Sequence, residues 1–352
     1  MKTAGQPKRV LVAPLDWGLG HATRCIPVIR EFLDRGCEVQ IASSGMALTL
    51  LRGEFPALKF HELASYGATY SARIPFLLKI FFQLPKFLWA IRKEQVATER
   101  IRGAEKIDLI ISDNRYGCRT KIVPSILIIH QLRLRAPVFN FLINHFHQMA
   151  LRKFTACWVP DVRGDYSLSG QLSVNPNLNV HYIGLLSRMV WRPSSVRYSI
   201  LAIVSGPEVQ RTIFEAAIRK ELKNSGQKCL MVKGIPGDNM RSSDGMVEEI
   251  GYLPSGEINE AILASELIIA RSGYSTIMDL AVLGKKAIFI PTPGQPEQEY
   301  LANEFMTRGI AFSMQQNKFD LPYAMTQSKE YKGFAKRESS PELKKAIESI
   351  LQ

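Results

Sequence analysis

Residues 8–24 read KRVLVAPLDWGLGHATR, and the order of residue types in this stretch decides the fold. Val10–Ala13 is a short apolar run of the kind that forms a strand buried on both faces of a parallel sheet. It runs into Asp16-Trp17-Gly18-Leu19-Gly20-His21, and from Ala22 to Arg35 apolar residues recur at helical spacing until Gly36 closes the pattern. Strand, Gly-x-Gly turn and helix in that order are the opening unit of an α/β sheet whose turn receives a ligand. Glycines let the ligand approach the backbone, and free N–H groups and the positive helix end face it. Gly18 and Gly20 are therefore expected to line a ligand site. A dinucleotide fingerprint would place a third glycine at position 23, but Thr23 stands there, which weakens a nicotinamide or flavin reading. The turn instead carries His21, whose imidazole titrates near neutrality and can take a proton from a hydroxyl. Its alternative is a structural or solvated surface histidine.

Moving outward, Glu38–Ala42 and Leu109–Ser112 read as further parallel strands of the same sheet. The second of these ends in Asp113, which stands at the C-terminal sheet edge where the Gly18–His21 turn also opens. A carboxylate there would orient the imidazole and fix its tautomer; its alternative is a turn cap. The grammar then repeats. Strands are expected at Ile200–Val204, Lys228–Val232, Leu267–Ala270 and Ala287–Pro291, and helices at Glu208–Asn224, Glu257–Ala264 and Ser275–Leu283. This is an α/β chain of two tandem sandwiches. The expected division is an N-terminal domain of residues 1–190 and a C-terminal domain of residues 191–352, with the boundary in the serine- and proline-bearing stretch Ser187–Ser195. The last helix, Pro341–Gln352, is free to pack on either.

Charge is distributed unevenly along the 352 residues. The formal net charge is +13, but residues 1–190 carry 25 basic and 13 acidic side chains whereas residues 191–352 carry 20 and 19. The basic half points to an anionic partner, with a solvated basic face as the alternative. Within it, Ile74–Arg92 (IPFLLKIFFQLPKFLWAIR) is apolar and aromatic, yet its prolines and lysines make a poor membrane span. Two readings stand for it, a helix lying in an anionic membrane surface and a buried helix pair, and Pro85 is expected to kink or divide it. Five scattered cysteines form neither a disulfide framework nor a zinc site. The short polar N-terminus is unlike a signal peptide, so a cytoplasmic protein is expected, with attachment to the inner face of the cell membrane as the finer expectation.

The stretch most specific for a ligand is Ala270-Arg271-Ser272-Gly273-Tyr274-Ser275-Thr276-Ile277-Met278-Asp279, followed by AIFIPTPGQPEQEYLAN. Ser272, Gly273, Ser275 and Thr276 offer N–H groups and hydroxyls at a helix N-terminus, a receptor for phosphate. Asp279 lies in the same helix, placed for a ribose diol, and Glu297 and Gln298 suit sugar hydroxyls. No Walker lysine motif occurs. With GLGHATR early, ARSGYSTIMDLAVLG late and PGQPEQEYLAN beyond it, the chain resembles the GT-B glycosyltransferases of family 28 and their relatives across Lys8 to Gly309. The resemblance implies two Rossmann-like domains facing a cleft and transfer from a nucleotide-sugar, expected to be a UDP-sugar, with inversion and without cofactor or metal. It implies that the Gly18 and Gly20 loop lies on the acceptor side, that His21 is the base assisted by Asp113, that Ser205 and Gly206 join Ser272 and Gly273 at the donor phosphates, that Asp279 takes the ribose, that Tyr252 and Leu253 lie beside the nucleotide base, and that Glu297 and Gln298 hold the sugar. The acceptor is expected to be lipid-linked or membrane-derived, and no nucleic acid is expected as a partner. Other functions weighed are a nucleotide-sugar epimerase or hydrolase on the same scaffold, and a non-catalytic nucleotide- or membrane-binding module.

Overall fold

The computed structural model describes residues 6–65, 76–134, 140–175, 178–337 and 341–352, with the backbone alone over 76–85. In chain order the first sheet region contains β1 (Arg9–Pro14), α1 (Leu19–Asp34), β2 (Glu38–Ser43), α2 (Gly45–Glu54), β3 (Lys59–Glu62), α3 (Phe76–Glu105), β4 (Leu109–Asp113), β5 (Ser125–Ile128), α4 (Asn140–Leu151), β6 (Ala156–Val159) and β7 (Val180–Tyr182). The second contains β8 (Tyr198–Ile203), α5 (Gln210–Asn224), β9 (Cys229–Val232), β10 (Arg241–Asp244), β11 (Val247–Ile250), α6 (Ser255–Leu263), β12 (Ser265–Ala270), α7 (Tyr274–Leu283), β13 (Lys286–Phe289), α8 (Pro296–Thr307), β14 (Phe312–Ser313) and α9 (Leu321–Ser328), after which comes α10 (Glu342–Leu351).

Each region folds as its own seven-stranded sheet. The first has the order β3-β2-β1-β4-β5-β6-β7, all parallel. The second has the order β10-β11-β9-β8-β12-β13-β14, parallel except for the β10–β11 pair. In both, the chain starts on a central strand, builds to one side and then crosses to the other, so strand order reverses between β1 and β4 and again between β8 and β12. Ligands of open α/β sheets bind outside the carboxyl ends of the strands at such a reversal. The central strands read as continuous apolar runs because both faces are covered: Val10, Leu11, Val12 and Ala13 are all fully buried. On α1 the buried face is Ala22, Cys25, Ile26, Val28, Ile29 and Phe32, at helical spacing. A side chain such as Phe32, removed entirely from water, contributes about 2–3 kcal/mol.

Two compact units result, one comprising Met1–Ala68, Ile80–Leu186 and Ser339–Gln352, the other centred on Ser187–Glu338. Two features depart from the division at 190/191. The chain changes units at Leu186–Ser187, because Ser187 and the residues after it bond to the second sheet region through Asp279, Ser255 and Asn259. The last helix, α10, returns to the first unit, where Ile347 is fully buried, Arg35 pairs with Glu348 at 2.7 Å and Lys8 Nζ donates to the Leu351 carbonyl.

Of the segment Ile74–Arg92, residues 74–75 and the side chains of 76–85 lie outside the described residues. The backbone of α3 continues as one helix through Pro85, so the proline does not divide it. From Lys86 on, Phe87, Ala90 and Glu94 turn inward at helical spacing, Phe87 and Ala90 packing with Leu15 and Trp17, whereas Leu88 and Trp89 are each 60% exposed. No helix among the described residues is long and apolar enough to cross a membrane. All five cysteines are buried free thiols.

Candidate active site

In the first unit, a cluster of candidate residues is built at the β1–β4 edge. Pro14 and Asp113 are register partners on these strands, and the Leu15 N–H donates to the Asp113 carbonyl at 3.0 Å. Gly18 then takes φ +81, a left-handed conformation that glycine adopts at no steric cost, and so starts α1 abruptly at Leu19. Gly20 and His21 fall in its first turn. Across the edge, Asn114 follows Asp113 with φ +57, a left-handed turn that asparagine tolerates, and the strand ends with its carboxylate under the helix start. His21 Nδ1 lies 2.6 Å from Asp113 Oδ1. The dyad expected from the sequence is therefore assembled, with Asp113 fully buried and the His21 side chain 16% exposed.

A third residue completes it. Arg24 grips both carboxylate oxygens, Nε donating to Oδ2 and Nη2 to Oδ1, each at 2.5 Å, and Cys25 Sγ adds a weak contact to Oδ2 at 3.6 Å. Burial alone would raise the Asp113 carboxyl, but the charges of Arg24 and then His21, with their hydrogen bonds, outweigh it and bring it down to about 2. Asp113 is thus an acceptor at neutral pH, and a carboxylate oxygen 2.6 Å from Nδ1 requires the proton on that nitrogen. Nε2 is left with the lone pair. Burial first and the Arg24 charge second hold His21 below the ordinary imidazole value, against the pull of Asp113. The ring is therefore neutral at pH 7, in the tautomer of a base. Arg24 Nη1 also reaches His130 Nδ1, beyond β5, at 3.3 Å. Neither Arg24 nor His130 was singled out from the sequence. For Arg24 a signal existed, since His21 and Arg24 stand three apart on one face of a helix.

A second buried arginine fixes the loop that carries this turn. Arg115, fully buried, donates through Nε to the Pro14 carbonyl (2.9 Å), through Nη1 to Glu94 (2.6 Å) and through Nη2 to Ser44 Oγ (2.7 Å). Glu94 in turn accepts from the Gly117 N–H at 2.8 Å. The ends of β1, β2 and β4 are thereby tied to α3.

In the second unit, a separate group of candidate residues lies at the β8–β12 edge. Ser205 and Gly206 form the turn after β8, with Gly206 at φ +115. Gly273 caps α7, and Ser275 and Thr276 occupy its first turn, half-buried. Ser272 is fully buried and its hydroxyl donates to the Gln298 carbonyl at 2.7 Å. The Gln298 amide is likewise committed inside the protein, accepting from the Thr292 N–H (2.8 Å) and donating to Gln295 (2.7 Å). Glu297 is half-buried in the first turn of α8. Asp279 accepts from Ser187 Oγ at 2.5 Å, and burial, opposed by Arg188 and Ser187, pushes its carboxyl up to about 6. Leu253 is buried and Tyr252 half-buried between β11 and α6. Ser205, Gly206, Ser272, Gly273 and Gln298 thus gather around the ends of β8, β12 and β13. No group of three or more metal-ligating side chains is assembled among the described residues.

Residues 216–349 match the glycosyltransferase family 28 C-terminal domain. The chain is 43% identical over 336 residues to the UDP-N-acetylglucosamine--N-acetylmuramyl-(pentapeptide) pyrophosphoryl-undecaprenol N-acetylglucosamine transferase of Methylobacterium sp. (strain 4-46), covering 90% of this chain and 86% of that one. The chain belongs to the family 28 glycosyltransferases. Among solved structures, this family 28 enzyme shares its fold with MurG of Acinetobacter baumannii (TM-score 0.58, 15% identity, 98% of this chain and 99% of that one). It shares it also with UGT89C1 of Arabidopsis thaliana, complexed with UDP-L-rhamnose (TM-score 0.62, 14% identity, 98% and 94%). The fold is that of GT-B enzymes, with two Rossmann-like domains, and the protein is a glycosyltransferase.

Proposed function

We propose that this glycosyltransferase uses a UDP-sugar, with UDP-N-acetylglucosamine the first donor to test, and transfers the sugar with inversion to a hydroxyl of a lipid-linked acceptor. The observation that carries this reading is the His21–Asp113–Arg24 cluster, which holds a neutral imidazole with Nε2 free at the ligand-binding edge of the first sheet. In the reaction, Nε2 accepts the proton of the acceptor hydroxyl and Nδ1–H remains on Asp113. The acceptor oxygen forms its bond to the anomeric carbon as the bond from that carbon to the diphosphate oxygen breaks. UDP leaves with the electron pair. N–H groups at the start of α7 and the Ser205–Gly206 turn meet the growing charge. Asp279 is assigned to the ribose, Tyr252 and Leu253 to the base, and Glu297 to the sugar; Gln298, whose side chain is engaged, shapes the loop that presents Glu297.

The donor is supported by the name of the Methylobacterium relative, and the lipid-linked acceptor by the same name and by the surface of the first unit. There Leu88 and Trp89 on α3 and Phe141 (82% exposed) and Phe146 (65%) on α4 are bare apolar groups in the basic half of the chain. Lys93 Nζ stands over the Trp89 ring at 3.5 Å. Such groups suit peripheral attachment to an anionic leaflet. The test is His21→Ala assayed with UDP-N-acetylglucosamine and a lipid-diphosphate acceptor. Transfer should fall by about 10²–10⁴-fold while UDP binding is retained. Wild-type turnover in that variant removes His21 from the mechanism, and rapid release of free or isomerised sugar without acceptor would replace transfer by hydrolysis or epimerisation.

A further inference from the structure

At the end of β12 the second unit buries a cation that no carboxylate among the described residues neutralises. Arg271 is 1% exposed, and its terminal nitrogens are held by neutral acceptors. Nη1 donates to the carbonyls of Ile290 (3.0 Å) and Pro291 (3.1 Å), and Nη2 to the Gln210 carbonyl (3.1 Å) and Gln316 Oε1 (2.5 Å). The guanidinium lies 3.9 Å over the Phe214 ring. No carboxylate pairs with it among the described residues, and burial alone pushes its pKa down to about 9. A buried charge is ordinarily paired, because removing it from water is costly. Two donors nearby are also unanswered. Arg271 Nε and the hydroxyl of Thr292, itself 1% exposed, have no hydrogen-bond partner among the described residues. Both face one place, since a Cβ on Gly206 would lie 3.6 Å from Thr292 Oγ1 and 3.8 Å from Arg271 Nε. The turn after β8 is thus backed from inside by an unpaired positive charge and an unpaired hydroxyl.

We infer that Arg271, assisted by Thr292, is the fixed counter-charge for the diphosphate of the nucleotide-sugar, acting from behind the Ser205–Gly206 turn as a positioning residue without touching the donor. The inference rests on the nucleotide-sugar reading above. A guanidinium held in place by four neutral acceptors needs no reorganisation when an anion arrives, and in a dry site its field reaches across one layer of backbone. Its effect grows with the negative charge on the ligand, so it favours UDP over uridine and favours the leaving diphosphate further as the bond to the sugar breaks. A purely structural arginine has no such dependence on ligand charge.

Calorimetric titration of the whole protein with uridine, UMP and UDP, repeated for Arg271→Met and Arg271→Lys, separates these cases. With wild type, affinity should climb from uridine to UDP and fall with added salt. In Arg271→Met the UDP affinity should drop by about tenfold or more while that for uridine holds, and kcat should fall along with the rise in KM for the UDP-sugar. Arg271→Lys, which keeps the charge but not the planar fork, should retain most of the preference for UDP over uridine. An equal loss for uridine and UDP in Arg271→Met, or no loss, overturns the inference, as does a folded Arg271→Lys protein whose UDP preference has vanished. Failure of the wild type to bind UDP at all would instead overturn the nucleotide-sugar reading itself.

Discussion

Replacing Asp113 with asparagine tests the site most sharply, because the geometry leaves an amide no acceptable orientation. In the native cluster Oδ1 accepts from His21 Nδ1 (2.6 Å) and Arg24 Nη2 (2.5 Å), and Oδ2 accepts from Arg24 Nε (2.5 Å). An asparagine NH₂ in the Oδ1 place faces Arg24 Nη2 and can bond His21 only if Nδ1 gives up its proton. The lone pair then sits on Nδ1, and Nε2 is no longer a base. In the Oδ2 place the NH₂ opposes Arg24 Nε. Either way the buried Arg24 charge loses its partner, a change that costs about 3–5 kcal/mol. Loss of a general base lowers the rate by about 10²–10⁴-fold. Urea denaturation and single-turnover transfer at saturating donor measure the two effects separately. The double variant Asp113→Asn with Arg24→Met removes the stranded charge, so it should recover most of the lost stability, since apolar replacement of a buried pair is often neutral or stabilising by about 1–4 kcal/mol. It should not restore the wild-type rate, because a neutral amide cannot stabilise the imidazolium that forms when Nε2 takes the proton. A near-wild-type single-turnover rate in Asp113→Asn would refute the tautomer argument, and a double variant no more stable than the single one would refute the argument from buried charge.

Two further outcomes are expected. Asp279 has its carboxyl raised by burial from 3.8 to about 6, so the folded apo-protein holds this proton more tightly than the unfolded chain; the group's contribution to stability declines as pH rises from about 4 through 6, while affinity for a UDP-sugar, whose ribose needs the ionised acceptor, declines as pH falls below about 6. Calorimetry across that window should show the dependence in wild type and its absence in Asp279→Asn, and parallel curves for the two would remove Asp279 from the ribose site. At the surface, Trp89→Glu with Phe141→Glu and Phe146→Glu should abolish sedimentation with anionic phosphatidylglycerol vesicles at low salt, with stability changed by about 0.5 kcal/mol or less per exposed site. Unchanged sedimentation would exclude this face as the docking surface.

The parts legible in the sequence share a physical cause. The middles of strands β1, β4, β8 and β12 are buried on both faces, so Val10–Ala13, Leu109–Ile111, Ile200–Ala202 and Ile268–Ala270 are apolar without interruption, and the Gly18 turn and Gly36 stop bound α1 by their backbone needs. That reading placed His21 and Asp113 on one edge, where they meet. Four-residue strands such as β5 (SILI) and β6 (ACWV) are too short to show a period. Arg24 and Arg271 stood inside the motifs themselves, yet arginine is ordinarily a surface residue, and only their burial, against Asp113 in one case and against neutral acceptors in the other, sets them apart. The partner of Asp279 escaped for a different reason. Ser187 lies 92 positions away, in a segment without regular structure whose path no periodicity encodes.

The return of α10 to the first unit gives the molecule the topology of an insertion. The second unit is a domain placed inside the first, whose first and last pieces are separated by Ser187–Glu338. During synthesis at about 5–20 residues per second, the first sheet waits roughly 8–30 s after its seventh strand emerges before the helix that covers Ile347 and pairs Glu348 with Arg35 can arrive. For that interval the nascent first unit exposes the surface α10 will cover. The second sheet region, β8 to β14, is continuous in sequence and can close its own core in the meantime, so the part of the chain that begins first is the one that finishes last.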